Sequence, residues 1–299
     1  MSCLFPRNVT VKQKNGTRLV IPAPCGRCPA CLSKQRLDWF IRNKVELQNS
    51  TNAFFVTLTY NDANLPISEC SKQPCFSVDD IQKFIKRFRK KICTTNFKYF
   101  LASEYGGELG RPHYHAIFYN VPDEKVSTLS ELLAQTWGKG FVSVAPITDR
   151  RVSYVCKYML QKTQRKKDYS DPALAPFYLS SRRPAIGRSY INDDNILHHL
   201  GNKTTKFNLF GLNTSLPSYY KRKIFDGYEH IKEDIRNDYL SKVHRDFVLN
   251  CSTTEGFLAY TQSKRNHAKA TLRSFKKYSK KTFQIELNEV IDFQISNLK

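Results

Sequence analysis

The sequence lacks an uninterrupted apolar stretch of about 18 residues, the length that a helix needs to cross a lipid bilayer. Residues 1–7 also lack the apolar segment of a secretory signal peptide. We therefore expect no membrane partner and a location in a cytoplasm.

Acidic residues are scarce: 26 Asp and Glu stand against 48 Lys and Arg, which gives a net charge of +22. Basic side chains bind polyanions by releasing condensed counterions, so this excess indicates nucleic acid as the partner. The alternative is a generally basic globular protein. The 40% hydrophobic content fits a folded chain, and 299 residues suffice for one large domain or two small ones.

A disulfide scaffold is not expected, because the nine cysteines are an odd number and no export signal accompanies them. Cys25, Cys28 and Cys31 have C-x₂-C-x₂-C spacing, and Cys3 offers a fourth ligand for a structural, tetrahedral Zn²⁺. Two alternatives stay open. These cysteines simply begin the first helix, or they hold an iron–sulfur cluster.

Hydrophobic periodicity and turn residues predict a regular order of elements up to residue 162. We expect helices at 28–47, 77–92, 126–137 and 149–162, and strands at 53–60, 97–105, 111–119 and 140–144. Locally paired strands with intervening helices predict an α+β fold, an antiparallel sheet backed by helices. Beyond it we expect loop at 163–215 and polar, basic helices at 216–248 and 263–295. The predicted domains are an N-terminal cysteine-containing segment and helix (1–50), a catalytic core (51–190) and a basic, mostly helical C-terminal region (191–299).

Two histidines and a glutamate are candidate metal ligands. His113 and His115 lie two apart in a predicted strand and therefore point to one sheet face. If the hairpin turn centres on residues 108 and 109, Glu104 lies directly opposite His113 and shares that face. Two imidazoles and a carboxylate suit one divalent cation, with positions left open for phosphate and water. The alternative is a Glu–His pair on a solvated sheet face.

Tyr154 and Tyr158 are candidate nucleophiles, because their i, i+4 spacing puts both phenols on one face of a predicted helix. A tyrosine oxygen can attack a phosphodiester and retain the cut strand as an ester. Lys157 could favour the phenolate or neutralise charge that develops on the phosphate. The alternative is a helix that buries two aromatic side chains.

Basic side chains on two predicted helices are candidate DNA contacts. Lys86 and Lys90 lie on the polar face of the 77–92 helix, where a solvated surface is the alternative. The other candidates are Arg111, Arg150, Arg151 and Lys162.

Together these segments resemble the HUH superfamily of rolling-circle nucleases, and within it the replication initiators of the gokushovirus branch of the microviruses. The strand at 55–60 resembles the first family motif, His113-Tyr114-His115 the second, and Tyr154–Tyr158 the two-tyrosine form of the third. Segments 24–32, 56–62, 110–115 and 180–187 also carry the likeness, which covers about residues 1–190.

The resemblance implies sequence-specific nicking of single-stranded DNA at a replication origin, through a 5′-phosphotyrosine that two tyrosines form alternately. It also implies Mg²⁺ or Mn²⁺ as cofactor, a host helicase and DNA polymerase as partners, and the host cell cytoplasm as location. Two alternatives remain. One is a relaxase- or transposase-type nuclease on the same scaffold, and the other is a non-catalytic single-stranded-DNA-binding or packaging protein.

Overall fold

A computed structural model gives the fold of the chain. It describes residues 3, 6–12, 16–26, 28–106, 110–158 and 171–251, and the single positions or short runs 253, 255, 256, 258–260, 262, 263, 266 and 270. The chain divides into two compact units, one of residues 36–195 and one that combines residues 1–35 with 196–299.

The unit of residues 36–195 is built on a five-stranded sheet in which every neighbouring pair is antiparallel. Its strands, numbered after the first two strands of the chain, are β3 (Ala53–Tyr60), β4 (Lys98–Tyr105), β5 (Pro112–Tyr119), β6 (Gly140–Pro146) and β7 (Tyr178–Ser180). Their order across the sheet is β6-β3-β5-β4-β7. The predicted α+β class is confirmed.

Helices pack on this sheet because each presents a row of apolar side chains. Those of the unit are most of α1 (Pro29–Gln48), α2 (Val78–Ile92), α3 (Asp123–Val126), α4 (Leu129–Trp137), α5 (Asp149–Tyr158) and the start of α6 (Asp193–Gly201). The apolar stripe of α2 predicted from the sequence, Ile81, Phe84, Ile85 and Phe88, is buried. Ser77 caps this helix by accepting a hydrogen bond from the Asp80 amide at 3.1 Å.

The main core lies between α2, α4 and one face of the sheet. Tyr114, Ala116 and Phe118 of β5 belong to this core. Because side chains alternate along a strand, His113, His115 and Ile117 point to the opposite face. That second face is covered by α1 and α5: Trp39 stacks on Phe100, and the Asn43 amide contacts the buried Cys156 sulfur.

The second unit holds a hairpin of β1 (Arg7–Lys12) and β2 (Arg18–Ala23), which leads into the first turns of α1. Its other elements are β8 (Lys206–Leu209), β9 (Leu212–Ser215), α7 (Ser218–Ile224) and α8 (Glu229–Cys251). Phe207, Leu216, Tyr220 and Phe225 are its largest buried side chains.

Several expected elements differ from those observed. The loop expected at 163–215 was wrong over its second half, which contains β7, α6, β8 and β9. The helix expected at 126–137 is two helices, because residues 127 and 128 form a turn. The helix expected at 216–248 is interrupted near Gly227, whose φ of +83° leaves the helical region. Residues 159–170 and most of 263–295 lie outside the described residues.

In the part of the chain that the structure describes, no helix combines the length and apolar character needed to cross a bilayer.

We predict that Phe118→Ala destabilises the fold strongly, because Phe118 is fully buried between α2 and the sheet. Emptying such a site costs about 3–5 kcal/mol of unfolding free energy. Phe141→Ala is the matched control, since Phe141 is 70% exposed, and it should change stability by no more than about 0.5 kcal/mol. Urea denaturation measures both, and equal losses would contradict the assigned core.

Candidate active site

The hairpin of β4 and β5 has the register that the sequence arithmetic predicted. Glu104 pairs with His113 and Ala102 with His115, so the carboxylate and both imidazoles share one face of the sheet. The turn residues 107–109 lie outside the described residues. The pairing on either side is therefore what fixes the arrangement.

Glu104 and His115 are in direct contact. His115 Nε2 lies 2.9 Å from Glu104 Oε2, and both side chains are largely shielded from solvent. On the other side of the ring, His115 Nδ1 lies 3.1 Å from the Thr57 hydroxyl of the neighbouring strand β3. Phe55 of the same strand stacks on the imidazole, with 5.6 Å between ring centroids. The orientation of His115 is thus fixed by contacts from both adjacent strands.

His113 is held separately. Its Nδ1 lies 2.8 Å from the Arg111 carbonyl, and its ring is parallel to that of His115 with 6.4 Å between centroids. The two histidines therefore face the same way without touching a common atom. Side-chain rotation of His113 is needed for all three groups to share one ion.

The donor set fits a divalent cation in its chemistry and partly in its geometry. Two ligands at right angles on Mg²⁺, with bonds of about 2.1 Å, lie about 3 Å apart, close to the 2.9 Å between His115 Nε2 and Glu104 Oε2. Among the described residues, however, the four cysteines Cys3, Cys25, Cys28 and Cys31 are the one group of three or more ligands whose atoms all lie within 4.8 Å. Those cysteines can hold a metal ion such as zinc.

Helix α5 brings both tyrosines to the histidines. The Tyr154 hydroxyl donates to Glu104 Oε2 at 3.2 Å, and its ring centroid lies 5.1 Å from that of His115. Tyr158 lies 5.8 Å from His115 and 4.7 Å from Tyr154 by ring centroids. Their exposure differs: Tyr154 is 38% exposed and Tyr158 only 6%.

Burial opposes ionisation of both phenols. It is the main cause that raises the pKa of Tyr154 and that of Tyr158, and the negative charge of Glu104 raises both pKa values further. A tyrosine nucleophile at this position therefore needs nearby positive charge. Lys157 Nζ lies 5.2 Å from the Tyr158 ring centroid, on the face of the ring.

The basic candidates fall in different places. Arg150 is exposed at the start of α5, and the Arg151 guanidinium lies 5.8 Å from the ring centroid of Phe55, next to the histidines. Arg111 is engaged within the unit, since it donates to Asp62 at 2.6 Å and to the Tyr60 carbonyl at 2.9 Å. Lys86 and Lys90 are exposed on α2, which packs on the sheet face opposite the histidines. Lys162 lies outside the described residues.

Sequence reasoning gave no role to Thr57, Phe55 or Gly106. The first two could have been found from strand pairing, because Thr57 is directly opposite His115. Gly106 was expected to supply a positive φ, which Gly110 does, with a φ of +61°. Gly106 instead makes room for His113: a Cβ there would lie 2.8 Å from its ring carbon Cε1.

We predict that Gly106→Ala displaces the His113 ring while leaving the fold intact, because the overlap is with a side chain that can rotate. Gly201→Ala is the control, since a Cβ there meets nothing within 4 Å. Imidazole NMR signals should shift for His113 only in the first variant, and its affinity for Mn²⁺ should fall. Unchanged His113 signals would show that this close approach does not position the ring.

Comparison with known proteins places this site in a family. Residues 53–164, which contain the hairpin and α5, match the family model described as that of the Replication-associated protein ORF2. The Replication-associated protein ORF2 of Spiroplasma virus 4 is 31% identical over 186 residues, which cover 57% of each chain. The Replication-associated protein VP4 of Bdellovibrio phage phiMH2K is 29% identical over 187 residues, 56% of this chain and 57% of that protein.

A third relative, the Replication-associated protein ORF4 of Chlamydia phage 1, is 24% identical over 256 residues, 77% of this chain and 60% of that protein. The chain thus spans less than two thirds of the length of each of these relatives. No solved structure matches it. Through residues 53–164 the chain belongs to the family of the Replication-associated protein ORF2, and it is of the microvirus type.

Proposed function

We propose that this chain is a metal-dependent tyrosine endonuclease that cuts and rejoins single-stranded DNA at a phage replication origin. In this role it initiates and terminates rolling-circle replication of a small circular genome. The observation that carries the proposal is the contact of Tyr154 and His115 with the same oxygen of Glu104, at 3.2 and 2.9 Å. A nucleophile, a ligand set and a family of replication-associated proteins coincide in one segment of the chain.

Glu104, His113 and His115 would hold the cation, with Mg²⁺ or Mn²⁺ suited to the mixed oxygen and nitrogen donors. Such an ion would polarise the scissile phosphodiester and offset the negative charge of Glu104. The contacts of Thr57 and Phe55 keep His115 in one orientation. Arginine residues 150 and 151, at the start of α5, are placed to hold the backbone of the strand being cut.

The exposed tyrosine, Tyr154, is the one that can reach an incoming phosphate first. Its phenol loses its proton, its oxygen bonds to phosphorus and the P–O3′ bond breaks, while the released O3′ takes up a proton. The products are a 5′-phosphotyrosine and a free 3′-hydroxyl, from which a host DNA polymerase can extend while a host helicase separates the strands. Rejoining is the reverse attack and needs no ATP, because the ester conserves the energy of the broken bond.

Tyr158 would make the second cut. It lies one helical turn from Tyr154 and beside the same imidazole, but it is buried beneath Tyr154. Once Tyr154 is esterified and drawn toward the DNA, the Tyr158 phenol becomes accessible. The difference in exposure thus gives the two tyrosines an order.

We predict that replacing His113 and His115 together with Ala abolishes nicking of single-stranded origin DNA while leaving DNA binding largely intact. EDTA should do the same to the wild-type protein, and added Mn²⁺ should reverse it. His198→Ala, at an exposed histidine of α6, is the control and should cut normally. Cleavage by the double variant, or in excess EDTA, would rule out the metal site.

We predict that Tyr154→Phe slows the first cut by at least about a hundredfold, because it removes the attacking oxygen and keeps the ring. Tyr158→Phe should still form a covalent adduct with 5′-labelled DNA but should fail to circularise the displaced strand. Tyr105→Phe is the control, since Tyr105 follows Glu104 on β4 and points to the opposite face of the sheet. A Tyr154→Phe protein that cuts normally would contradict the assigned order, and an adduct formed by the double Phe variant would place the nucleophile elsewhere.

A further inference from the structure

Four cysteines from separate parts of the N-terminal segment come together in the unit that contains residues 1–35. Cys3 precedes β1, Cys25 follows β2, Cys28 lies just before α1, and Cys31 is in its first turn. Their sulfurs all lie within 4.8 Å of one another. Cys28 and Cys31 are buried, and the other two are half-buried.

The sulfur separations are those of a single tetrahedral ion. Zn–S bonds of about 2.3 Å at tetrahedral angles place neighbouring sulfurs about 3.8 Å apart. Cys3 and Cys28 sulfurs are 3.8 Å apart, and those of Cys25 and Cys31 are 4.0 Å apart. A disulfide needs about 2.05 Å between the sulfurs. A cluster of several irons distributes its thiolate ligands over different iron atoms, which separates the sulfurs further than this group allows.

Backbone groups around the cysteines suit thiolates. The Cys28 amide donates to the Cys25 sulfur at 3.3 Å, and the Cys25 amide donates to the Cys3 sulfur at 3.2 Å. Gly26, between the first two ligands of the motif, has a φ of +75°, a left-handed conformation that L side chains rarely adopt. The N-terminus of α1 adds a positive partial charge beside Cys28 and Cys31.

We propose that Cys3, Cys25, Cys28 and Cys31 form a structural zinc site that fastens the β1–β2 hairpin to the N-terminus of α1. The hairpin has little apolar surface to hold it: residues 7–10 are all exposed, and Val20 is 59% exposed. A two-stranded hairpin without a packed face is marginally stable in water. Arg7 pairs with Ala23 at its open end, next to Cys3 and Cys25, so an ion bound there closes the end that would otherwise fray.

Elemental analysis of the purified full chain tests the site directly. We expect about one zinc ion per chain that dialysis does not remove. Cys28→Ser with Cys31→Ser should lose it. Cys70→Ser with Cys93→Ser should keep it, since these cysteines are exposed and outside the group. The His113→Ala, His115→Ala protein should also keep it, which separates this site from the proposed active site.

Two further measurements hold if the cysteine variant fails to fold. Cys25→His should retain zinc, because Cys₃His sites are also tetrahedral, and its Co²⁺-substituted form should show an altered ligand-field spectrum. In the wild-type protein, mercurial displacement of the zinc should speed amide hydrogen exchange in β1 and β2 while β4 and β5 stay protected. Zinc-free protein with four reactive thiols at these positions, disulfides between them, or iron with inorganic sulfide would each overturn the proposal.

Discussion

The antiparallel pairing of β4 with β5 determines where every group of the proposed active site lies. Opposing Glu104 to His113 puts one carboxylate and two imidazoles on a single face, and α5 adds its tyrosines above them. A slip of one residue would turn both histidines into the core and bring Tyr114 out. Tyr114 resists such a slip, because its buried hydroxyl accepts a hydrogen bond from the Ser77 amide at 2.9 Å and lies 3.2 Å from that of Tyr60. The packed face therefore fixes the register on which the other face depends.

Electrostatics set the chemistry that this face can perform. Burial and Glu104 raise the pKa of both candidate nucleophiles, so the tyrosines stay protonated at neutral pH in the absence of added positive charge. In our proposal a divalent cation supplies that charge, and it acts on the same carboxylate that Tyr154 contacts. Cutting would then depend on cation and substrate arriving together, which keeps the tyrosines unreactive while either one is missing.

Sequence reasoning predicted the parts of the fold that depend on local pattern. The apolar stripe of α2 and the β-branched run of β3 mark their elements, and the distance from the turn to Glu104 and His113 gives the register. It missed β7, because three residues are too few to show alternation and their partner is supplied by β4, far away in the chain. It also missed the β1–β2 hairpin, although the Asn15-Gly16 dipeptide between two runs with alternating apolar residues is a strong hairpin signal. Contacts such as that of Gly106 with His113 follow only from three-dimensional packing.

The most direct test of the account is to identify the residue that carries the DNA. Wild-type protein would be incubated with single-stranded origin DNA and Mn²⁺, digested with nuclease and protease, and the modified peptide sequenced by mass spectrometry. The account predicts a nucleotide joined through its 5′-phosphate to Tyr154 after a single turnover, and no adduct when the cation is withheld. An adduct on a residue outside α5, or DNA cut with no protein-bound intermediate, would contradict it.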